Sequence, residues 1–474
     1  MTTIFSVIEA ETASLRQKTA IIDAGERITY GELLAAAGMI AAELGRRGVD
    51  RFHRIGLLCD DSIDYVAVSL AILSLGSVIV PVSPEQAPEE IEALVTRIDL
   101  DFLVAEQRLR GEGEELPRAL FRARSFTLQR RAAATPCAEY FTVNPAFIRF
   151  SSGTTGASKG VVLSHEAIVA RTDAADRGLR VTQDDTVLWV LSMSFHFVVT
   201  ILLFLRRGAT IVICGRDLPH ALIDGIRTHH GTFIYASPLH YSLLAAATEV
   251  DATDFRTVRM AVSTAMKLPA TTAADFTARF GLELAEAYGI IEVGLPFVRL
   301  GNVDKKGSVG RPLPGYELRI DNRDNSGVGD ILIRGKGMLD AYYSPWQGRA
   351  TVLLDGWFAT GDLGRIDDDG FLFIVGRKKD VINFVGMKIF SQEVEEVINR
   401  FPGVAESLVY PVPHDRFGEL PAAKVVLSGV DGGDTLETAL QRFCYQHLSR
   451  YKVPKLFEFV DELPKTASGK LKRS

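Results

Sequence analysis

The chain has 474 residues, about three times the length of a typical domain, so two or three packed units are expected. Apolar residues make up 47% and charged residues 24%, which excludes disordered, collagen-like and low-complexity proteins. The formal net charge of −6 gives no general attraction to a nucleic-acid backbone, so we expect no nucleic-acid partner.

Apolar runs of strand length recur through the first 300 residues, at 54–60, 77–84, 101–106, 209–215, 232–237 and 259–265. The segments between them are long enough for crossover helices. This alternation predicts an α/β fold, a large N-terminal domain of helix-covered, mostly parallel sheets.

An uncharged apolar run at 187–205 is long enough to raise the question of a membrane span. It contains Ser192, Ser194, His196 and Thr200, whose polar groups a lipid-facing helix would have to desolvate. We therefore expect a buried core segment and no integral membrane segment. The N-terminus lacks a basic region followed by an apolar stretch, and the four cysteines are scattered, so a cytoplasmic protein is expected.

The composition changes after residue 300. Short strands separated by Gly-, Asp- and Asn-rich turns predict a small antiparallel β unit at about 301–376. After GRKKD at 376–380, helix and strand patterns alternate again and predict a small, mobile α+β C-terminal domain. We place the domains at 1–378 and 379–474.

The strongest local signal is FSSGTTGASKG at 150–160, a loop that follows the strand-like sequence FIRF. Its small residues let backbone N–H groups converge on an anion, its hydroxyls add donors, and Lys159 adds a positive charge. It is not a GxxxxGK[ST] loop, because Ser158 and Gly160 stand where Gly and Ser or Thr would be required. The loop nevertheless predicts a phosphate-binding site.

This loop and four later motifs resemble the adenylate-forming superfamily, which includes acyl- and aryl-CoA synthetases, free-standing adenylation domains and luciferases. The later motifs are AYGIIE at 287–292, GWFATGDLG at 356–364, GRKKDVINFVG at 376–386 and PKTASGK at 464–470. They occur in family order, and the resemblance covers nearly the whole chain. It implies ATP, Mg²⁺ and coenzyme A, or a carrier-protein phosphopantetheine, as cofactors.

The resemblance also assigns nucleotide-binding residues. The residues that would hold the β- and γ-phosphates of ATP are Ser151, Ser152, Gly153, Thr154, Thr155, Gly156 and Lys159. Tyr288, followed by Gly289, would stack on adenine, and Glu292 would help to bind Mg²⁺. Asp362 would accept hydrogen bonds from the ribose hydroxyls, assisted by Arg377.

Three further residues are assigned by the same resemblance. Lys470 would bridge the substrate carboxylate and the α-phosphate, where it neutralises charge in the transition state. Lys379 matches the hinge about which the C-terminal domain turns between two half-reactions. Gly386 matches the loop that lines the pantetheine tunnel, where glycine suits the close passage of a ligand.

The chain departs from the family pattern at Ile291, where a threonine hydroxyl usually faces the α-phosphate. An apolar side chain removes that donor and is expected to slow adenylation several-fold or more. At the acid site, His196 resembles the histidine of CoA ligases whose substrates lack an α-amine. A substrate amine is not expected, because a neutral imidazole cannot act as a counter-ion to ammonium.

The predicted walls of the acid pocket are apolar with a few hydroxyls. They are Phe197, Val199, Thr200, Tyr235, Ser237, Ser263, Ala265 and Ile290. Such a surface suits a small-molecule carboxylic acid of the aryl or medium aliphatic class, and the sequence does not choose between the two.

The leading hypothesis is an ATP- and Mg²⁺-dependent acid–thiol ligase that forms an acyl-adenylate, releases pyrophosphate and then makes an acyl-CoA thioester. An alternative keeps the adenylation but passes the acyl group to a separate acyl carrier protein or to an amine. A third hypothesis, suggested by Ile291, is a nucleotide-binding homologue with weak catalysis.

Overall fold

A computed structural model describes residues 2–110, 112–150, 159–299, 305–385, 387–414, 416–428, 434–465 and 471–472. The contacts divide the chain into two compact units. The first unit comprises Met1–Leu318 and Ile333–Phe358, and the second comprises Arg319–Leu332 and Ala359–Ser474. The domain boundary expected between residues 378 and 379 stays a prediction.

The first unit contains an eight-stranded sheet in the order β15-β14-β13-β12-β10-β11-β1-β2. Its strands are β1 Thr19–Asp23, β2 Glu26–Thr29, β10 Thr186–Trp189, β11 Thr210–Ile213, β12 Phe233–Ala236, β13 Met260–Ser263, β14 Leu284–Ile290 and β15 Gly294–Arg299. The strands from β1 to β14 in this order pair in parallel, and the two edge strands pair antiparallel.

A second, nine-stranded sheet of this unit has the order β19-β18-β9-β8-β4-β3-β5-β7-β6. Its strands are β3 Arg54–Leu58, β4 Val78–Val82, β5 Phe102–Glu106, β6 Glu114–Glu115, β7 Phe126–Arg130, β8 Pro145–Phe150, β9 Gly160–Ser164, β18 Ala341–Tyr343 and β19 Gln347–Gly348. The central strands are parallel, and antiparallel strands flank them.

The helices of the first unit are α1 Ile4–Glu11, α2 Tyr30–Arg46, α3 Ile63–Ser74, α4 Pro88–Ile98, α5 His165–Leu179, α6 Met193–His196, α7 Leu202–Arg206, α8 His220–His229, α9 Pro238–Ala246, α10 Ala270–Phe280 and α11 Arg349–Val352. Local signals fix their starts. The Ser62 hydroxyl caps α3 by accepting the N–H of Tyr65 at 3.1 Å, and the Ser164 hydroxyl caps α5 by accepting that of Ala167 at 3.0 Å. The predicted α/β class with its parallel sheets is confirmed.

The apolar run at 187–205 forms most of β10, then α6, a π-helical turn at Phe197–Ile201 and the start of α7. Leu202, Leu203 and Phe204 have no exposed surface, so the run is a buried core segment, as expected. Within the residues that the structure describes, no helix is long and apolar enough to span a bilayer.

A four-stranded sheet has the order β16-β17-β20-β21, with strands β16 Tyr316–Asp321, β17 Gly329–Gly335, β20 Phe358–Ile366 and β21 Leu372–Arg377. Another sheet belongs to the second unit and contains β22 Val381–Phe384, β23 Met387–Phe390, β24 Val404–His414, β25 Gly418–Leu427 and β26 Leu456–Phe459. Two helices, α12 Ser391–Ile398 and α13 Asp434–His447, complete the unit. Its apolar core joins Val394 and Ile398 of α12 to Val409 and Val425 of the sheet.

Candidate active site

The predicted phosphate loop begins where β8 ends and finishes where β9 begins. Phe150 and Gly160 are paired residues of these antiparallel strands. Six predicted loop residues, Ser151, Ser152, Gly153, Thr154, Thr155 and Gly156, lie outside the described residues. Lys159, the cation of the loop, is described and half-buried.

Lys159 and Glu292 both contact one tyrosine, Tyr342 of β18. The Lys159 ammonium is 4.8 Å from the centroid of the Tyr342 ring, and the Tyr342 hydroxyl donates to Glu292 Oε1 at 3.3 Å. Lys159 also donates to Gln347 Oε1 at 3.4 Å. Burial raises the pKa of Tyr342 above its usual range, and the negative charge of Glu292 adds to this effect, so the hydroxyl remains a donor at neutral pH.

The backbone around Glu292 is held by groups that are distant in sequence. The buried Arg171 of α5 donates from Nη1 to the carbonyl of Ile291 at 3.0 Å, and from Nε and Nη2 to the carbonyl of Gly337 at 2.9 and 2.6 Å. The N–H of Leu339 donates to the Glu292 carbonyl at 2.7 Å. Gly337 has a φ of +79°, and an added Cβ would lie 2.5 Å from the backbone nitrogen of Arg171, so only glycine fits there.

The donor set near Glu292 suits a magnesium ion held mainly by phosphates. Mg²⁺ prefers carboxylate oxygen and often takes one or two carboxylates together with substrate phosphates and waters. Glu292 would supply such a carboxylate, and Lys159, which contacts the same tyrosine, would be a cation for phosphate oxygens. Within the described ranges, no group of three or more His, Cys, Asp or Glu side chains could hold a metal by itself.

Tyr288 and Gly289 lie at the end of β14. The half-buried Tyr288 ring is tilted against Phe297 of β15, with centroids 5.9 Å apart. A Cβ on Gly289 would lie 2.4 Å from the carbonyl oxygen of Gly294, so the close pairing of β14 with β15 at this point requires glycine.

His196 ends α6 and its ring meets Trp189 of β10 edge to face, with centroids 6.0 Å apart. Trp189 in turn stacks on Tyr235 at 5.9 Å and an interplanar angle of 11°. Phe204 of α7 contacts both rings, at 6.2 and 6.3 Å. His196 therefore stands at the edge of an aromatic cluster that fills the space between β10, β12 and α7.

The predicted pocket walls divide into buried and partly exposed groups. Those that are buried are Phe197, Thr200, Tyr235, Ser237 and Ser263, and those that are partly exposed are Val199, Ala265 and Ile290. Two of the hydroxyls are used internally, since Thr200 donates to the His196 carbonyl at 2.6 Å and the Ser237 hydroxyl lies 2.7 Å from His240 Nδ1. Ala265 has a φ of +71°, a strained conformation at the exposed end of β13.

A cavity of about 560 Å³ lies at the carboxyl ends of β1, β10 and β11, the edge where α/β sheets usually bind ligands. The carboxylates of Asp60, Asp61 and Glu85 line it, together with Trp189. Burial raises the pKa of Asp61 to about 7, and both of its oxygens accept from the N–H of Met193, which begins α6. None of the predicted pocket walls lines this cavity, whereas Trp189, which lines it, also contacts the ring of His196.

In the second unit, the structure pairs the two residues assigned to ribose. Asp362 of β20 and Arg377 of β21 are cross-strand partners, and Arg377 Nε lies 2.7 Å from Asp362 Oδ1. Asp362 is buried, whereas the Arg377 side chain is about a third exposed at 31%. Lys379 is exposed in a single 3₁₀ turn, and Gly386 and Lys470 lie outside the described residues.

Sequence reasoning missed three residues of this region, Arg149, Arg171 and Tyr342. Arg171 and Tyr342 act on segments more than 100 residues away, and neither stands in a motif that signals a site. Arg149 was visible as a charged residue in an otherwise apolar strand directly before the phosphate loop.

The chain is similar to known proteins along its whole length. Residues 8–343 match the family model described as AMP-binding enzyme, and residues 393–470 match that of the AMP-binding enzyme C-terminal domain. A long-chain-fatty-acid–CoA ligase of Yersinia pestis is 29% identical, over 99% of this chain and 93% of its own length. A 3-hydroxybenzoate–CoA ligase of Aromatoleum sp. (strain CIB) is also 29% identical, over 97% of this chain and 93% of its own. The crystal structure of ATP-bound MatB from Rhodopseudomonas palustris has a TM-score of 0.86 at 26% identity, and covers 99% of this chain and 97% of that one.

Proposed function

The chain belongs to the AMP-binding enzyme family and is an AMP-forming acid–thiol ligase, and we propose that it activates an aryl or medium aliphatic carboxylic acid and transfers it to CoA. In the first half-reaction the acid carboxylate attacks the α-phosphorus of ATP, so that an acyl-adenylate forms and pyrophosphate leaves. In the second, a thiolate attacks the acyl carbon, a thioester forms and AMP leaves.

The observation that carries this proposal is the cluster of Lys159, Tyr342 and Glu292. In this cluster a cation and a carboxylate contact the same tyrosine, the ammonium at 4.8 Å from the ring centroid and the carboxylate at 3.3 Å from the hydroxyl. A triphosphate with Mg²⁺ needs such a pair, because the cation binds phosphate oxygens while the carboxylate binds the metal. When bound, Mg²⁺ supplies neutralisation of phosphate charge.

The other nucleotide contacts are proposed from the family resemblance. Tyr288 would stack on adenine, and its position next to Gly289 supports this role. Asp362 would accept hydrogen bonds from the ribose, and its buried carboxylate is held by the 2.7 Å contact with Arg377. Lys470 would bridge the acid carboxylate and the α-phosphate during adenylation.

The acid would lie beside His196 with its acyl group toward the partly exposed walls Val199, Ala265 and Ile290. For the second half-reaction, we propose that the chain turns at Lys379 and that the thiol passes Gly386. The exposure of Lys379 in a single turn between β21 and β22 supports a hinge there.

The first test measures pyrophosphate release by the purified protein with ATP, Mg²⁺ and a panel of aryl and aliphatic acids. The second adds CoA, an acyl carrier protein or an amine as the acceptor and identifies the products by mass. Lys470→Ala is the control, and we expect it to abolish acid-dependent release. A thioester formed with CoA supports the proposal. Transfer only to the carrier or the amine refutes CoA as the acceptor, and no release with any acid refutes the ligase function.

A further inference from the structure

Arg149 is the penultimate residue of β8, directly before the predicted phosphate loop. The strand is otherwise apolar, and Ala146, Phe147 and Ile148 before it are buried. A guanidinium at the end of such a strand has to leave water, which is unfavourable unless other groups stabilise its charge. Its neighbours therefore indicate what the residue does.

The contacts of Arg149 join the phosphate loop strand to the residues assigned to the reaction. Its Nη1 donates to the carbonyl of Phe195, and its guanidinium carbon lies 4.8 Å from the centroid of the Phe195 ring. Phe195 precedes His196 in α6. Among the described residues, no carboxylate oxygen lies within 4.0 Å of the guanidinium.

The electrostatic surroundings keep this cation charged but incompletely neutralised. Desolvation lowers the pKa of Arg149 to about 10, and the negative charge of Glu292 opposes that shift. Arg149 therefore remains a cation at neutral pH, and its field reaches the carboxylate assigned to Mg²⁺. It is a desolvated positive charge that contacts Phe195, the residue before His196, and interacts electrostatically with Glu292.

The adenylation step has a specific need for such a group in this chain. Carboxylate and triphosphate repel each other, so their approach requires preorganised positive charge and donors. Ile291 has no hydroxyl that could donate to the α-phosphate. Arg171 does not supply that donor, because its guanidinium already donates to the carbonyls of Ile291 and Gly337. Arg149 is a nearby cation whose carbonyl contact leaves other N–H donors.

We propose that Arg149 is a positioning residue for adenylation, which holds the segment bearing His196 through the Phe195 carbonyl and whose positive charge offsets the donor missing at Ile291. The inference rests on the proposed ligase function. A purely structural arginine would instead tie β8 to α6 with no preference for either half-reaction.

The test compares Arg149→Leu, Arg149→Lys and Arg149→Ala with the unmodified enzyme in two assays, acid-dependent pyrophosphate release and thioester formation from added acyl-adenylate. We expect Arg149→Leu to lower kcat for release about 30-fold while thioester formation changes less than about 2-fold. Arg149→Lys should retain part of the rate, and added guanidinium at low millimolar concentration should restore part of the rate of Arg149→Ala.

Arg97→Leu is the matched control. Arg97 is an exposed arginine whose guanidinium lies 4.9 Å from the ring centroid of Phe150, the residue that follows Arg149 in β8. It should leave both assays within about 2-fold. In the Ile291→Thr background, Arg149→Leu should cost about 5-fold instead of 30-fold, since the restored hydroxyl supplies the missing donor.

Thermal unfolding of each variant separates folding from function. The inference is overturned if folded Arg149→Leu retains its release rate, if both half-reactions fall equally, or if Ile291→Thr leaves the cost unchanged. An enzyme that releases no pyrophosphate before any substitution contradicts the proposed function instead, so the two failures are distinguishable.

Discussion

Replacing Tyr342 with Phe removes one hydroxyl from the centre of the candidate active site. The ring beneath Lys159 remains, and the backbone of Glu292 stays held by Leu339 and Arg171. The loss is therefore one hydrogen bond to a charged carboxylate, worth about 1.5 to 3 kcal/mol. At 3.3 Å the bond is long, so we take the lower value, about 1.5 kcal/mol, which corresponds to a roughly 10-fold slower adenylation.

The assay is the initial rate of acid-dependent pyrophosphate release at varied Mg²⁺ and ATP. Tyr342→Phe should need more Mg²⁺ for half-maximal rate, since Glu292 is less well oriented. Tyr342→Leu should lose about another 1 kcal/mol, roughly 5-fold, because it also removes the ring from Lys159.

Tyr343→Phe is the matched control for this prediction. Its hydroxyl accepts from the buried Arg54, and Tyr343 follows Tyr342 in β18, so the two side chains point to opposite faces of the strand. Removal of the Tyr343 hydroxyl should therefore reduce stability and leave the Mg²⁺ dependence unchanged. The reasoning would be refuted if Tyr342→Phe kept the rate and Mg²⁺ dependence of the parent, or if Tyr343→Phe shifted that dependence as much.

Two further predictions concern stability. His165 is buried, and its Nδ1 accepts a hydrogen bond from the N–H of Ile4. Burial lowers the pKa of His165 to about 4, so between this pH and about 6.5 the unfolded chain binds a proton that the folded chain does not. Stability should therefore fall as pH drops from about 6.5 to 4, by about 3 kcal/mol from this group, and urea unfolding of His165→Gln should show a pH dependence smaller by that amount. Arg377→Met removes the ion pair of the buried Asp362 carboxylate and should destabilise the second unit by about 2 kcal/mol. Lys378→Met, which removes an exposed lysine from its pair with Asp330, should cost under about 1 kcal/mol in the same unfolding experiment. An equal loss of unfolding free energy in Arg377→Met and Lys378→Met would contradict the argument that burial of the carboxylate makes the first pair more important.

Much of the first unit was predictable because its apolar runs are local. The runs at 54–60 and 77–84 contain β3 and β4, and the segment between them forms α3. The strand at Ala341–Tyr343 was not predictable. It falls within the range expected to form the small β unit, yet it pairs with β9, and three residues are too short for a periodic signal.

The same distinction holds for the candidate site. Lys159 and Glu292 stand in motifs whose chemistry can be interpreted residue by residue, and both are near one ring in the structure. Tyr342 and Arg171 escaped prediction because their role consists of contacts across more than 100 residues. Such contacts depend on the packing of sheets and helices, which one sequence without its fold does not specify.

At position 291, the side chain and the backbone contribute to different properties of the site. Its side chain lacks the hydroxyl that the family pattern supplies, but its carbonyl accepts from Arg171, and the next carbonyl accepts from Leu339. The backbone of the segment is thus anchored on both residues independently of the side chain at 291. We therefore expect the backbone of Glu292 to keep its place whether residue 291 carries a donor or not, so that a change at 291 would alter the rate of adenylation while the Arg171 and Leu339 contacts preserve the local geometry.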